Sequence, residues 1–119
     1  MLTIYHNPHC SKSREGLTLV QEFSAEHGVP LQVVEYLKTP LTLEQLSALQ
    51  RQLGVPVQDM VRDKQPDYER LQLEQADSAT LLQALAECPG LLQRPIVSYR
   101  GRALIGRPPA RLSAWLQES

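Results

Sequence analysis

The chain has 119 residues, enough for one domain with its own core and too few for two, so we expect a single domain over residues 1–119. Its 12 basic and 13 acidic residues nearly cancel, which excludes a global field that would draw the protein to nucleic acid or to an anionic membrane. The sequence starts without a secretory signal and has no run of about 20 apolar residues, which indicates a cytoplasmic protein. It has only two cysteines, which we expect to be free thiols.

The N-terminal third of the chain predicts a strand, a turn, a helix and a second strand. Apolar and polar residues alternate over residues 2–5, which predicts a short strand, and Asn7-Pro8 supplies a turn signal. From Ser11 the apolar spacing becomes helical, and Gly28 is placed to stop that helix. A valine-rich run over residues 31–36 predicts the second strand.

The middle of the chain predicts helices. The sequence of residues 42–45 fits a capping box, which predicts the start of a second helix. We expect the buried stripe of that helix to consist of Leu43, Leu46, Leu49 and Leu53. Residues 54–77 are polar and irregular, and short helical turns are expected there. Ser78 is placed to cap a third long helix, which Pro89-Gly90 ends.

The C-terminal quarter predicts two more strands and a closing helix. Residues 96–99 and 102–105 flank Arg100-Gly101, a two-residue link suited to a tight antiparallel hairpin. Pro108-Pro109 then opens the last helix. A parallel βαβ crossover followed by an antiparallel ββα segment is the thioredoxin arrangement of strands. The predicted fold class is therefore α/β, thioredoxin-like, with a mixed four-stranded sheet.

Cys10 is the candidate nucleophile. It stands between a turn and a helix start, where unpaired backbone N–H groups and the positive end of the helix dipole favour a thiolate. Lys12 and Arg14 add positive charge in the first turn, and Ser11 and Ser13 can donate hydrogen bonds. The same amide groups would bind an oxyanion. The alternative is that Cys10 is a small buried hydrophobic residue.

The spacing after Cys10 excludes two common thiol chemistries. A thioredoxin-type disulfide exchanger needs Cys-x-x-Cys, but Ser13 occupies the position of the second cysteine. A cysteine phosphatase closes its anion loop with an arginine six positions on, where this chain has Gly16, and Arg14 comes too early. What remains is a single-thiol enzyme that takes its second sulfur from Cys88 or from a small thiol such as glutathione.

The other cysteine and the histidines carry less chemistry. Cys88 shares a helical stripe with Leu81 and Leu85, so we interpret it as a core residue. His6 is placed to tune the thiolate electrostatically, although an ordinary hydrogen bond in the turn would explain it equally well. The cysteines and histidines do not approach the ligand spacing of a zinc site, so no metal is expected.

Three segments of the chain match a known pattern: residues 5–14, which read Tyr-His-Asn-Pro-His-Cys-Ser-Lys-Ser-Arg, then Arg94-Pro95-Ile96-Val97, and Gly106-Arg107-Pro108. Together they resemble the glutathione/glutaredoxin-dependent arsenate reductase family, in particular its short members. The likeness runs over nearly the whole chain. It implies a thioredoxin-like domain with a helical insert at about residues 41–90.

The resemblance also implies a role for each site residue. Cys10 would be the nucleophile. The oxyanion and the arsenic intermediate would be bound by three arginines, Arg62, Arg94 and Arg107. The supporting positions would be His6, Ser13, Arg14 and Pro95. Of these, Pro95 resembles the cis-proline beside which glutathione docks in thioredoxin-like folds. A solvated surface charge is the alternative role for each arginine, above all for Arg62, which the sequence places in a charged helical piece.

The activity that the resemblance implies is reduction of arsenate to arsenite. No cofactor would be bound; glutathione would be a co-substrate, and the partners would be arsenate or a similar oxyanion, glutathione and glutaredoxin. Two other functions stay open. One is a regulator resembling the Spx proteins, which bind RNA polymerase, although Ser13 removes the Cys-x-x-Cys switch common among them. The other is a general glutathione-dependent thiol transferase acting on protein mixed disulfides.

Overall fold

The computed structural model describes residues 1–118. Its internal contacts divide the chain into two compact units. The first, which we call the sheet unit, holds residues 1–39 and the chain from residue 94 onward. The second, the helical unit, holds residues 40–93. No helix in the described part of the chain combines the length and the apolar character needed to cross a membrane.

The sheet unit is built on four strands. They are β1 (Leu2–His6), β2 (Leu31–Glu35), β3 (Ile96–Tyr99) and β4 (Arg102–Ile105), in the spatial order β2-β1-β3-β4. β1 and β2 are parallel, and the β1–β3 and β3–β4 pairs are antiparallel. The predicted mixed four-stranded sheet of a thioredoxin-like fold is confirmed. Alternate residues of β1, ending with His6, are buried, so the last inward-facing residue of the strand lies directly before the turn.

The hairpin between β3 and β4 forms where the sequence predicts it. Arg100 and Gly101 have φ values of 53° and 77°, so both central residues of the turn lie in the left-handed region. Such a turn matches the twist of antiparallel strands, and its second residue is often glycine. The pairing places Ile96 opposite Ile105. As a result, the residues just before β3 and just after β4 lie side by side.

Two helices pack in the sheet unit, α1 (Ser11–His27) and the C-terminal helix (Ala110–Gln117). α1 ends as predicted at Gly28, whose φ of 65° and N–H bond to the Ser24 carbonyl complete the helix end. The core of the unit combines both helices with the sheet. Its buried members are Leu2, Ile4, Val20, Val97, Tyr99, Leu112 and Leu116.

The helical unit consists of helices and short 3-10 turns. Its α-helices are α2 (Leu43–Leu53), α3 (Pro66–Arg70) and α4 (Ser78–Glu87), so the helix at Ala110–Gln117 is α5. The 3-10 turns cover Val57–Met60, Leu73–Gln75 and Pro89–Leu91. The first two, together with α3, confirm the short helical turns expected over residues 54–77. The predicted capping box is also present: Thr42 and Gln45 each accept a hydrogen bond from the other's backbone N–H.

Two helix details differ from the sequence-based expectation. Asp77, not Ser78, caps α4, and its Oδ1 accepts the Thr80 N–H at 2.8 Å. A carboxylate at this position also interacts favourably with the positive end of the helix dipole, which favours Asp77 over its neighbour. Leu43 is 44% exposed because it is the first residue of α2, whereas Leu46 and Leu49 form the buried stripe.

Candidate active site

The turn after β1 presents Cys10 at the start of α1. The Asn7 carbonyl accepts the Cys10 N–H at 3.1 Å, and Asn7 Oδ1 accepts the His9 N–H at 2.9 Å. Arg14 reaches back from the first turn of the helix and donates from Nη1 to the Pro8 carbonyl at 2.9 Å. These bonds fix the turn, so Cys10 becomes the N-cap residue of α1 with extended backbone and a partly exposed thiol.

The environment of Cys10 favours its charged form. Burial alone would raise the pKa of the thiol, but the backbone N–H groups of Ser13 and Lys12, together with the charge and a side-chain hydrogen bond of Arg94, outweigh it. The net effect lowers the pKa below its ordinary value of 9.0. Sγ makes no N-cap hydrogen bond of standard geometry. We attribute the lowering of the pKa by these N–H groups to their orientation at the helix start, because a large sulfur anion is attracted to N–H dipoles over longer distances.

Two arginines converge on the thiol from the ends of the hairpin. Arg94 lies just before β3 and Arg107 just after β4, and the strand register brings these positions together. Arg107 Nη1 is 3.9 Å from Cys10 Sγ and donates to the Arg94 carbonyl at 3.3 Å. The Arg94 Nε is buried and has no hydrogen-bond partner among the described residues. The sheet unit therefore gathers one thiol and two guanidinium groups at the start of α1.

Arg62 belongs to the helical unit, and the expectation that it lies in a charged helical piece is wrong. It directly follows Val61, which forms an isolated antiparallel bridge with Leu92. The Arg62 N–H donates to the Leu91 carbonyl at 2.8 Å, and its Nη1 donates to the Gly90 carbonyl at 3.3 Å. This pairing holds the backbone extended at a point where the local sequence favours a turn of helix. A role for Arg62 toward an oxyanion stays a prediction.

His6, Ser13 and Asn7 form a buried network beneath the thiol. Ser13 Oγ lies 2.7 Å from His6 Nδ1 and accepts the Asn7 N–H at 3.0 Å. The pKa of His6 is lowered, mainly by burial and further by Arg14, against the opposing effects of Glu35 and Ser13. A neutral imidazole follows near neutral pH. Ser13, which stands where a second active-site cysteine would be, is thus fully buried and engaged in this network.

Asn7 is the site residue that sequence reasoning missed. The Asn-Pro pair signals a turn, and nothing more is visible without the fold. In the structure Asn7 is buried, and its carbonyl, N–H and side-chain oxygen contact three different residues of the loop and helix. Asparagine commonly folds such turns by bonding the backbone two residues on, which is the signal that could have identified it.

Pro95 closes the other side of the site. The Arg94–Pro95 peptide is cis, as the resemblance implies, and the Arg107–Pro108 peptide is cis as well. The Pro95 carbonyl accepts the Gly106 N–H at 2.9 Å. This bond extends the pairing of the hairpin by one step and ties Pro95 to the segment that carries Arg107.

Cys88 is not the core residue that its helical spacing predicts. α4 ends at Glu87, and Cys88 leaves the helix with φ −126° and ψ 80°, so its side chain departs from the buried Leu81–Leu85 stripe. The thiol is partly exposed, and its Sγ lies 3.9 Å from Arg70 Nη2 within the helical unit. Across residues 1–118, no three His, Cys, Asp or Glu side chains gather closely enough to hold a metal ion.

Comparison with known proteins gives consistent relatives. A model of the ArsC family matches residues 5–115. The arsenate reductase of Neisseria meningitidis serogroup A is 41% identical over 118 residues, which cover 97% of each chain. The Escherichia coli K12 protein YfgD, whose description is "uncharacterized", is 44% identical over 92% of this chain and 91% of its own. The solved arsenate reductase of Vibrio cholerae superposes with a TM-score of 0.82 at 42% identity, covering 92% of both chains.

Proposed function

The chain belongs to the ArsC family, and from this premise we propose that it reduces arsenate to arsenite with the Cys10 thiolate as nucleophile. The observation that carries the proposal is the convergence of Arg94 and Arg107 on a partly exposed thiol whose pKa is lowered. A thiolate with adjacent guanidinium groups can attract an oxyanion and attack its central atom. An ordinary buried cysteine could do neither.

The charge balance at the site explains the need for arginines. Arsenate and a thiolate repel each other, so the anion approaches Cys10 only if cationic groups compensate both charges. Guanidinium groups keep their charge at all relevant pH values and donate paired hydrogen bonds to tetrahedral oxyanions. The Arg94 guanidinium already stabilises the Cys10 thiolate by its charge and a hydrogen bond, so its charge is available beside the anion site. The N–H groups at the start of α1 add further donors.

The first proposed step is attack of Cys10 Sγ on arsenic. An S–As bond forms, and an arsenate hydroxyl takes a proton from solvent and leaves as water. Arsenic stays in its pentavalent state, and Arg94 and Arg107 stabilise the remaining charge. Glutathione then displaces a second oxygen as water and leaves arsenic bonded to two sulfurs. A further thiol attacks the glutathione sulfur and breaks its bond to arsenic. The two thiols are oxidised to a disulfide, and the two electrons reduce arsenic to its trivalent state. Hydrolysis of the Cys10–arsenic bond releases arsenite and restores the thiolate.

The external thiols follow from the site itself. Ser13 stands at the position of a resolving cysteine and is buried in the His6 network, so the first turn of α1 offers no second sulfur. We propose glutathione as the second thiol and glutaredoxin as the protein that forms the mixed disulfide with it. We further propose a cytoplasmic location, because that compartment maintains reduced glutathione.

Arsenate-dependent oxidation of NADPH tests the proposal in a coupled assay with glutathione, glutathione reductase and glutaredoxin. We expect turnover by the wild-type protein, none by Cys10→Ser and wild-type turnover by Cys88→Ser, which is the matched control for loss of a thiol. Leaving out glutaredoxin should reduce the rate strongly. Absence of arsenate-dependent turnover in the complete system would overturn the assignment, and equal loss in both cysteine variants would overturn the role of Cys10.

A further inference from the structure

Gly16 lies on the buried face of α1, and Pro95 packs directly against it. A Cβ atom built on Gly16 would lie 2.7 Å from Pro95 Cγ and 3.3 Å from Leu112 Cδ1. The first distance is about 0.7 Å short of the 3.4 Å at which ordinary contact begins. Pro95 Cγ belongs to a ring fused to the backbone, so it cannot turn away as the end of a long side chain would. Any side chain at position 16 must therefore change the pucker of the Pro95 ring or move the backbone of α1 or of Pro95.

Pro95 is also held from the opposite side. Its carbonyl accepts the Gly106 N–H at 2.9 Å, and Gly106 immediately precedes Arg107. A displacement of Pro95 away from α1 would strain this hydrogen bond and shift the segment that carries Arg107. The positions of Arg94 and Arg107 therefore depend on where Pro95 lies, and Pro95 can lie this close to α1 because Gly16 has no side chain.

The Arg94 guanidinium depends on this backbone position. Its Nε is buried without a hydrogen-bond partner among the described residues, so no bond at that atom anchors the side chain. The Arg94 carbonyl is fixed by Arg107 Nη1 at 3.3 Å. The guanidinium also hydrogen-bonds the Cys10 thiol, and whether it reaches that thiol depends on the backbone of Arg94 and Pro95, which rests against Gly16.

We propose that Gly16 is a positioning residue of the active site: by lacking a side chain, it lets Pro95 pack against α1 so that Arg94 and Arg107 reach the Cys10 thiolate. Its helical position argues against a purely local role, since alanine favours a helix interior more than glycine does. The proposal rests on the proposed function only in taking Cys10 as the reactive thiol. It concerns the thiolate itself, so arsenate turnover is not needed to test it.

The test is the pH dependence of Cys10 alkylation by iodoacetamide. It is measured in a Cys88→Ser background, so that Cys10 is the thiol whose alkylation is observed. Below the pKa of the thiol, the rate follows the thiolate fraction and changes tenfold for each unit of pKa. We expect Gly16→Ala to slow alkylation by about three- to tenfold in that range and to move the profile to higher pH. Val20→Ala is the control, since Val20 is buried one turn further along the same helix face. It should lower stability and leave the profile in place.

A second comparison keeps the proposal testable if Gly16→Ala does not fold. Pro95→Ala removes the ring that the new methyl group would meet, so Gly16→Ala should cost much less stability in the Pro95→Ala background than in the wild type. Urea denaturation of the four proteins measures this difference. An unchanged alkylation profile in folded Gly16→Ala, or an equal loss of stability in both backgrounds, would overturn the positioning role. Failure of the arsenate assay with a shifted alkylation profile would instead overturn the proposed function alone.

Discussion

Replacement of Arg107 by glutamine removes one positive charge from beside the Cys10 thiolate. Arg107 Nη1 lies 3.9 Å from Cys10 Sγ, and glutamine removes the positive charge while keeping a polar side chain. Loss of a cation beside an anion disfavours the anion, so the pKa of the Cys10 thiol should rise. The positive charge that lowers this pKa in the intact site is that of Arg94, so the substitution tests what the second guanidinium adds.

The distance sets the size of the effect. Two unit charges 3.9 Å apart attract by about 1 kcal/mol at the dielectric constant of water and by about 4 kcal/mol at an effective value of 20. The thiol is partly exposed, which favours the lower part of this range. We therefore expect a loss of about 1–2 kcal/mol, equivalent to about a five- to thirtyfold slower alkylation at pH values below the thiol's pKa.

Iodoacetamide alkylation over a range of pH, at low salt and in the Cys88→Ser background, measures this loss. Arg111→Gln is the matched control, because Arg111 is exposed on α5 and its removal changes the net charge equally. It should leave the profile within about twofold of wild type, because charges on exposed side chains interact only weakly through water. Profiles of Arg107→Gln and Arg111→Gln that coincide would refute the reasoning, because the thiolate would then owe nothing to the charge of Arg107.

Three further predictions concern stability. Ser13→Ala leaves the Asn7 N–H and His6 Nδ1 without their buried partner, so the free energy of unfolding in urea should fall by about 2–4 kcal/mol. The control Thr18→Ala, at an exposed position, should change it by less than about 0.5 kcal/mol. Equal effects of the two substitutions would contradict the network. Folding lowers the pKa of the Cys10 thiol from 9.0, so the wild type should gain stability relative to Cys10→Ser as pH rises from below the folded pKa toward 9. A difference in unfolding free energy between the two proteins that does not vary with pH would refute this linkage. Gln72 has a φ of 54°, so Gln72→Gly should stabilise the protein by about 0.5–1 kcal/mol in thermal unfolding, and a lower melting temperature would count against strain at that residue.

The sheet and its hairpin were predictable because their signals are local. Alternation marks β1, and the Arg100-Gly101 pair sits between two short apolar runs, where its positive φ values produce the hairpin. The position of Cys10 at a helix start follows in the same way from the Asn7-Pro8 turn. In each case a few adjacent residues determine the conformation, and the tertiary structure agrees with them.

The errors arise where neighbours compete or where a distant segment intervenes. Asp77 and Ser78 are both good N-cap residues, and the choice between them depends on where the helix begins, which sequence defines only to within a residue or two. The spacing of Cys88 would place it on the buried stripe of α4, but the helix ends one residue before it. Arg62 lies outside a helix because its neighbour Val61 pairs with Leu92, a partner thirty-one positions along the chain.

The site required more than local sequence. Arg94 and Arg107 are thirteen positions apart, and only the β3–β4 register brings both to Cys10; the resemblance to a family, not the spacing, identified them. Gly16 was still harder to recognise. A glycine within a helix normally signals only a loss of helix stability, and the close approach of Pro95 that explains it exists only in the folded sheet unit.

The thiolate is therefore supported in two physically different ways. The N–H groups of Lys12 and Ser13 belong to the same helix as Cys10, so their effect is present wherever the first turn of α1 forms. The arginine effect requires the hairpin to be in place and acts through charge, which salt screens over a Debye length of about 3 Å at 1 M. High salt should reduce the difference between wild type and Arg107→Gln only in part, because partly buried charge pairs are screened less than exposed ones. The comparison of low and high salt therefore separates the part of the thiolate stabilisation that salt screens from the part that direct contacts at the thiol maintain.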